Sequence, residues 1–169
     1  MADGVFGVEI VTPELSLYAG GARSVVLATS DGDLTVLDGH TSLVGDLVPC
    51  EVKVELPEGD VLRVAAHGGF VQVDTSPGAA GDLAEGDGPL PGLSTRVTLL
   101  AGVAERADDI DVPRAQSARD AATQRLSELG GARGPVSEDV EEDVELAEAE
   151  GALARAELRL AVAAAPTGA

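Results

Sequence analysis

Ile110-Asp111-Val112-Pro113-Arg114-Ala115 lies where this chain changes material. Upstream of about residue 104 the sequence is Val-, Leu- and Gly-rich and broken by turn signals. Downstream it is Ala, Glu, Asp, Arg and Leu with almost no β-branched residues. The change reads as a strand-built domain handing over to a helical one. The hexapeptide itself carries helix-start chemistry. The Asp111 carboxylate can accept a bond from the Arg114 backbone N–H, and Pro113 falls in the first turn, where its missing N–H costs nothing. Taken alone, the hexapeptide requires nothing more than a capped helix.

Working back from the seam, residues 5–74 read as short strands separated by turns. Val5 to Val11 is a first strand ended by Pro13. Ala22 to Thr29 leads into an Asp31-Gly32-Asp33 turn, and Leu34 to Leu37 follows. Val52, Val54 and Leu56 alternate with Lys53 and Glu55, the pattern of a half-buried strand. Pro57-Glu58-Gly59-Asp60 is a turn that returns Val61 to Ala66 as a hairpin partner. Phe70, Val71 and Val73 make another strand, and Val97 to Leu100 closes the sheet. Many short strands at this spacing predict a β-sandwich or flattened barrel over 1–103. Residues 75–94, with Pro77-Gly78, Gly86-Asp87-Gly88-Pro89 and Pro91-Gly92, read as a flexible acidic insertion.

Working forward, 104–169 predicts an antiparallel two-helix hairpin with helices near 111–129 and 138–162. Ala115, Ala118, Ala122, Leu126 and Leu129 recur at steps of three and four, as do Leu146, Ala149, Leu153, Ala156 and Leu160. Gly130 to Pro135 is expected to stop the first helix, and Ser137 to cap the second. Both apolar stripes are narrow and Ala-rich, so they bury little area, which suits a hairpin able to detach and move.

Composition narrows the function classes. At 169 residues the chain is one modest domain or a β-domain with a small appendage. With aromatic content of 2%, its core must be built from Val, Leu, Ile and Ala. A net charge of −19 excludes the basic face that nucleic acid requires and disfavours direct attachment to an anionic membrane. The single cysteine, Cys50, excludes an internal disulfide and a cysteine metal cluster, and its apolar setting predicts a buried structural thiol. No signal sequence opens the chain, and no apolar run approaches the roughly 18–20 residues needed to span a bilayer. A soluble, intracellular protein is expected.

Four stretches then occur in a telling order: Val8-Glu9-Ile10-Val11-Thr12-Pro13-Glu14, Leu37-Asp38-Gly39-His40-Thr41-Ser42-Leu43, Gly68-Gly69-Phe70-Val71-Gln72-Val73, and the hexapeptide after Val97-Thr98-Leu99-Leu100-Ala101. In this order the chain resembles the epsilon subunit of the F-type ATP synthase, in an actinobacterial style. That family has a Leu-Pro-x-His-Ala-Pro-Leu turn, a Gly-Gly-Phe strand start and an Ile-Asp-x-x-Arg-Ala helix start. The resemblance covers nearly the whole chain. Its turn departs from the family at Asp38 and Ser42, which stand where the family has proline.

The resemblance implies a non-catalytic central-stalk subunit, peripheral at the cytoplasmic face of the plasma membrane. Its partners would be the gamma subunit and the c ring, with transient beta-subunit contact by the hairpin, commonly through basic residues. It assigns gamma contact to His40, Thr41 and Ser42, and c-ring contact to Asp31, Gly32 and Asp33. It assigns nucleotide contact to Ile110, Asp111, Arg114 and Ala115, with Arg155 and Arg159 as a phosphate-holding pair four apart on one helix face. No cofactor is expected to be required. A further basic position of tight ATP binders is Ala121 here, with only Arg119 nearby, so ATP binding is expected to be weak and regulatory. The hairpin would switch between a folded state and an extended state that restrains ATP hydrolysis.

The alternative is a free-standing ATP-sensing module using the same hairpin. A hydrolase finds no nucleophile–base pair. His40 and His67 stand in separate turns, with no spacing that suggests a metal site. Gly68 and Gly69 serve backbone geometry. The acidic run Ser137 to Asp143 lacks calcium-loop spacing and reads as a first helical turn favoured by the helix dipole.

Overall fold

A computed structural model describes residues 4–75, 95–132 and 140–165. Of the insertion read at 75–94, Thr75 belongs to a strand; the rest of it, residues 133–135 of the expected helix stop, the cap read at Ser137 and the acidic side chains of 138–143 lie outside the described residues. Two compact units divide between Ala107 and Asp108.

The first unit is built from β1 (Phe6–Val11), β2 (Ser16–Ala22), β3 (Ser24–Thr29), β4 (Gly32–Val36), β5 (Leu43–Glu55), β6 (Val61–Thr75), β7 (Thr95–Ala101) and β8 (Ala104–Arg106). Neighbours run β2-β1-β7-β6-β5-β3-β4, with β8 on β6. Only β1–β7 is parallel; the other pairings are antiparallel. Folded over one apolar core, this ladder is the β-sandwich the turn spacing predicts.

Its core is Phe6, Val8 and Ile10 of β1, Val25 and Leu27 of β3, Val97 and Leu99 of β7, and both halves of β5 and β6. In the two long strands the buried series changes parity. Val64 and Ala66 are buried before the glycine pair, Val71 and Val73 after it, while Leu47 gives way to Val52 and Val54. A strand shows alternate residues to alternate faces, so such a change needs a break in the pleat. Gly68 and Gly69 supply it on β6 with φ of 95° and 140°. On β5 the pairing with β3 slips between Val26 and Thr29. Pro49 lies opposite that irregular stretch, where its missing donor is tolerated.

The structure corrects the strand reading in four places. Ser16–Ala22 is a strand that the Gly20-Gly21 pair concealed. Leu43–Glu55 is one strand, of which only the alternation from Val52 had been read. Two expected strands merge as Val61–Thr75. Ala104–Arg106 pair with Val64–Ala66, so the β unit runs past the compositional seam. The hairpin turn also shifts: Thr29 pairs with Gly32, leaving Ser30 and Asp31 as turn residues, with Gly32 and Asp33 already in β4.

A short 3₁₀ turn (Ala107–Asp109) spans the division, and the second unit holds α1 (Val112–Ala132) and α2 (Val140–Ala164). α1 continues through Gly130 and Gly131, beyond the expected stop. Ala115 and Ala122 are buried on α1, as are Ala149, Ala156 and Val162 on α2. Ala118 is exposed. At 100° per residue it is the outermost member of its stripe, and its methyl does not reach the seam.

Candidate functional site

The turn at Leu37–Ser42 is built by the sheet end beneath it. The His40 N–H donates to the Leu37 carbonyl at 3.1 Å, closing a four-residue turn with Gly39 at φ 78°. The Gly39 N–H donates to Thr95 Oγ1 at 2.8 Å. Thr75 Oγ1 donates to the His40 carbonyl, and the Thr75 N–H donates to Ser42 Oγ at 2.9 Å. His40 Nδ1 sits 2.8 Å from the Thr41 carbonyl oxygen, which can only accept, so this nitrogen carries the proton. Thr41 and Ser42 are exposed.

From Ser42 the outer face of the sheet continues through Val44, two residues on and therefore on the same side. Across the sheet, Leu100 pairs with both Val11 and Phe70. Val44 is 74% exposed, Phe70 55% and Leu100 48%. Of the chain's two phenylalanines, Phe6 closes the core and Phe70 faces water. A cleft of about 440 Å³ opens beside this row, walled by Val11, Pro13, Phe70 and Leu100. Farther along the same two strands, Arg96 of β7 and Glu9 of β1 form an ion pair at 2.7 Å. Val11, Leu100 and Phe70 stand in one cross-strand row that ends on Asp46 of β5, and Val44 lies two residues along β5 from Asp46, opposite Gln72; such a patch of apolar side chains is the signature of a surface made to be covered. The sequence had marked His40 to Ser42 but missed Val11, Val44, Phe70 and Leu100. The available signal was an outward-facing apolar residue on each of four adjacent strands, which only the strand order assembles.

Asp31, Gly32 and Asp33 are all exposed at the β3–β4 hairpin. Thr29 Oγ1 donates to the Gly32 carbonyl at 3.0 Å and accepts from the Asp31 N–H at 3.3 Å, stiffening the tip. The Ser30 N–H reaches the Asp46 carbonyl at 3.0 Å, tying the hairpin to β5.

In the helical unit, Asp111 caps α1 as expected: its Oδ1 accepts the Arg114 N–H at 3.0 Å, and its carbonyl accepts the Ala115 N–H at 2.9 Å. Ile110 and Ala115 are buried, whereas Asp111 and Arg114 are exposed. Arg125 of α1 is paired with Glu145 of α2. Followed ten residues toward the start of α1 and ten along α2, that pairing brings Ala115 level with Arg155, and four more bring Asp111 level with Arg159. The buried alanines keep the same register, Ala115 with Ala156 and Ala122 with Ala149. The hexapeptide and the two arginines therefore share one end of the hairpin. The Arg155 guanidinium lies back over Gly151, where an added Cβ would stand 3.0 Å from it, and so leans a turn away from the hexapeptide. Arg119 is engaged by Asp120 at 2.9 Å.

Among the described residues no cluster of three metal-ligating side chains occurs, and no helix is long and apolar enough to cross a membrane.

Comparison with known proteins gives two family matches: the ATP synthase delta/epsilon chain β-sandwich domain over residues 5–77 and its long α-helix domain over 108–164. The ATP synthase epsilon chain of Desulforudis audaxviator is 36% identical over 127 residues, spanning 75% of this chain and 78% of that one. That of Streptomyces griseus is 35% identical over 129 residues, spanning 72% and 89%. Among solved structures, a chain of the Euglena gracilis mitochondrial ATP synthase OSCP/F1/c-ring assembly superposes with a TM-score of 0.64 at 18% identity, covering 94% of this chain and 81% of that one. At that identity the likeness is one of fold.

Proposed function

The chain belongs to the ATP synthase delta/epsilon family, and from that premise we propose how its two units divide the work of an epsilon chain, a non-catalytic subunit of the F-type ATP synthase. The β-sandwich couples the gamma subunit to the c ring on the central stalk. Gamma is met by His40, Thr41 and Ser42 together with the apolar patch of Val11, Val44, Phe70 and Leu100. The observation that carries this is the exposure of Val44, Phe70 and Leu100 on one face of the sheet, in a chain with so few aromatic residues. Asp31, Gly32 and Asp33 form the stiffened tip that meets the polar loops of the c ring. The complex holds the chain peripherally at the cytoplasmic face of the membrane.

The helical hairpin restrains ATP hydrolysis. At 25 residues and 1.5 Å per residue, α2 reaches roughly 37 Å, enough to insert between catalytic subunits once extended. The level placement of Ile110 to Ala115 with Arg155 and Arg159 supports weak ATP contact at one end of the folded hairpin.

The test is co-purification of the tagged full-length chain with the alpha, beta and gamma subunits, beside a Phe70→Asp variant. Phe70 lies outside the core, so the variant should fold normally and lose gamma. Recovery of the wild-type chain without any synthase subunit would overturn the stalk assignment and leave a free-standing ATP-sensing module.

A further inference from the structure

We propose that Thr95 and Thr75 are positioning residues whose hydroxyls hold the Leu37–Ser42 turn in the shape that meets gamma. The inference rests on the gamma contact proposed above and names what fixes its geometry. Thr95 is fully buried, and it is the one polar side chain so buried among the described residues. It begins the inward series of β7 that continues with Val97, Leu99 and Ala101. Valine has the same shape and would pack there without a hydroxyl to satisfy. A buried hydroxyl is disfavoured unless it is hydrogen-bonded, and this one takes the Gly39 N–H at 2.8 Å. Its position on β7 is therefore accounted for by the turn, not by the core.

Thr75 is its direct partner in the β6–β7 register. It grips the turn twice, with its hydroxyl on the His40 carbonyl and its N–H on Ser42 Oγ. One cross-strand pair thus fixes residues 39, 40 and 42. The need for such a grip follows from the turn itself. Gly39 at φ 78° in third place meets the requirement of a type II turn, whose second position favours proline. That position is Asp38, where no pyrrolidine ring fixes φ. The two threonines supply by hydrogen bonding the order that a proline would supply by restricting φ.

The experiment measures gamma affinity of the full-length chain by titration, and exchange of the Gly39 amide hydrogen by NMR. Thr95→Val should keep the fold, speed Gly39 exchange and weaken gamma binding by about fivefold to tenfold, as expected for one lost hydrogen bond. Thr75→Val should weaken binding similarly. Thr95→Ser, which keeps the hydroxyl, should bind as wild type, and Asp38→Pro placed on Thr95→Val should recover most of the loss. Wild-type affinity in the double variant Thr75→Val/Thr95→Val overturns the inference. So does a loss that neither Thr95→Ser nor Asp38→Pro relieves, since that would be a packing defect. Unchanged Gly39 exchange in Thr95→Val overturns the clamp whatever gamma does. A wild-type chain that does not bind gamma sinks the gamma contact itself and the inference with it.

Discussion

Gly69 stands opposite Ala101 so closely that a Cβ on Gly69 would lie 2.9 Å from the Ala101 Cα and closer still to the Leu100 carbonyl oxygen. Its φ of 140° is also one that L side chains rarely adopt. The close approach occurs where β6 exchanges β8 for β7 as its neighbour and the buried series changes parity. Gly69→Ala should therefore cost about 3 kcal/mol or more through backbone collision and strain. Thermal unfolding should move down by more than 10 °C or so. A melting curve within a few degrees of wild type would show that the strands can part there.

Cys50 offers a prediction in pH. Burial pushes its thiol above the ordinary value of 9.0; the bond with the Ala28 backbone pulls the other way, and the Asp33 and Glu51 carboxylates raise it further. A raised value keeps the folded thiol neutral where an unfolded one ionises. Its contribution to stability is thus complete below about pH 9 and is lost as pH rises through the higher folded value. Alkylation at pH 8 should be severalfold slower for the native chain than for the chain in urea, since the thiolate is the reacting form. Equal rates would place the thiol in open solvent.

How far the sequence could be read depended on whether the signal was local. The Asp111 cap and the Ala115, Ala122, Ala149 and Ala156 stripe are local patterns, and both appear in the structure. Ser16–Ala22 was missed because Gly20 and Gly21 weaken a strand that its pairing with Phe6–Val11 nonetheless secures. The junction was placed a few residues early because Ala104–Arg106 has helix-forming composition but finds an open edge at Val64–Ala66. The apolar patch of Val11, Val44, Phe70 and Leu100 was illegible for the same reason: its members come to one face only through strand order. Thr95 is the sharpest case, since nothing in the sequence connects it to Gly39, 56 positions away.

Nucleotide contact should depend on Asp111 and Arg114 in different ways. Arg114→Ala removes the proposed phosphate partner and leaves the cap, because the capping donor is the backbone N–H at 114. Asp111→Ala removes the cap, costing about 1 kcal/mol of helix stability, whereas Asp111→Asn keeps an acceptor there. Calorimetry should find ATP binding at millimolar ligand that Arg114→Ala weakens while helix content is unchanged. Failure of the wild-type chain to bind ATP at that concentration would leave the hexapeptide as a helix cap alone.

The strength of inhibition should follow from charge. From Ala104 to Ala169 the chain has seven Arg, no Lys and fifteen Asp plus Glu, a balance of −8. A contact with an acidic beta-subunit segment must come from few cations, and several are already engaged: Arg125 with Glu128 and Glu145, and Arg119 with Asp120. Arg155 and Arg159 are the two basic residues of α2, flanked by Glu148, Glu150 and Glu157. Approach of like charges is unfavourable, although screening over about 8 Å at physiological salt limits the penalty. Inhibition by this hairpin should therefore be modest and carried mainly by those two arginines. Deleting residues after Gly134 should raise ATP hydrolysis of the assembled enzyme, and Arg155→Ala with Arg159→Ala should reproduce most of that rise. A rise in the truncated complex that the double variant fails to reproduce would move the inhibitory contact elsewhere on α2. An unchanged rate in the truncated complex would remove inhibition from the hairpin and leave it a structural or coupling element.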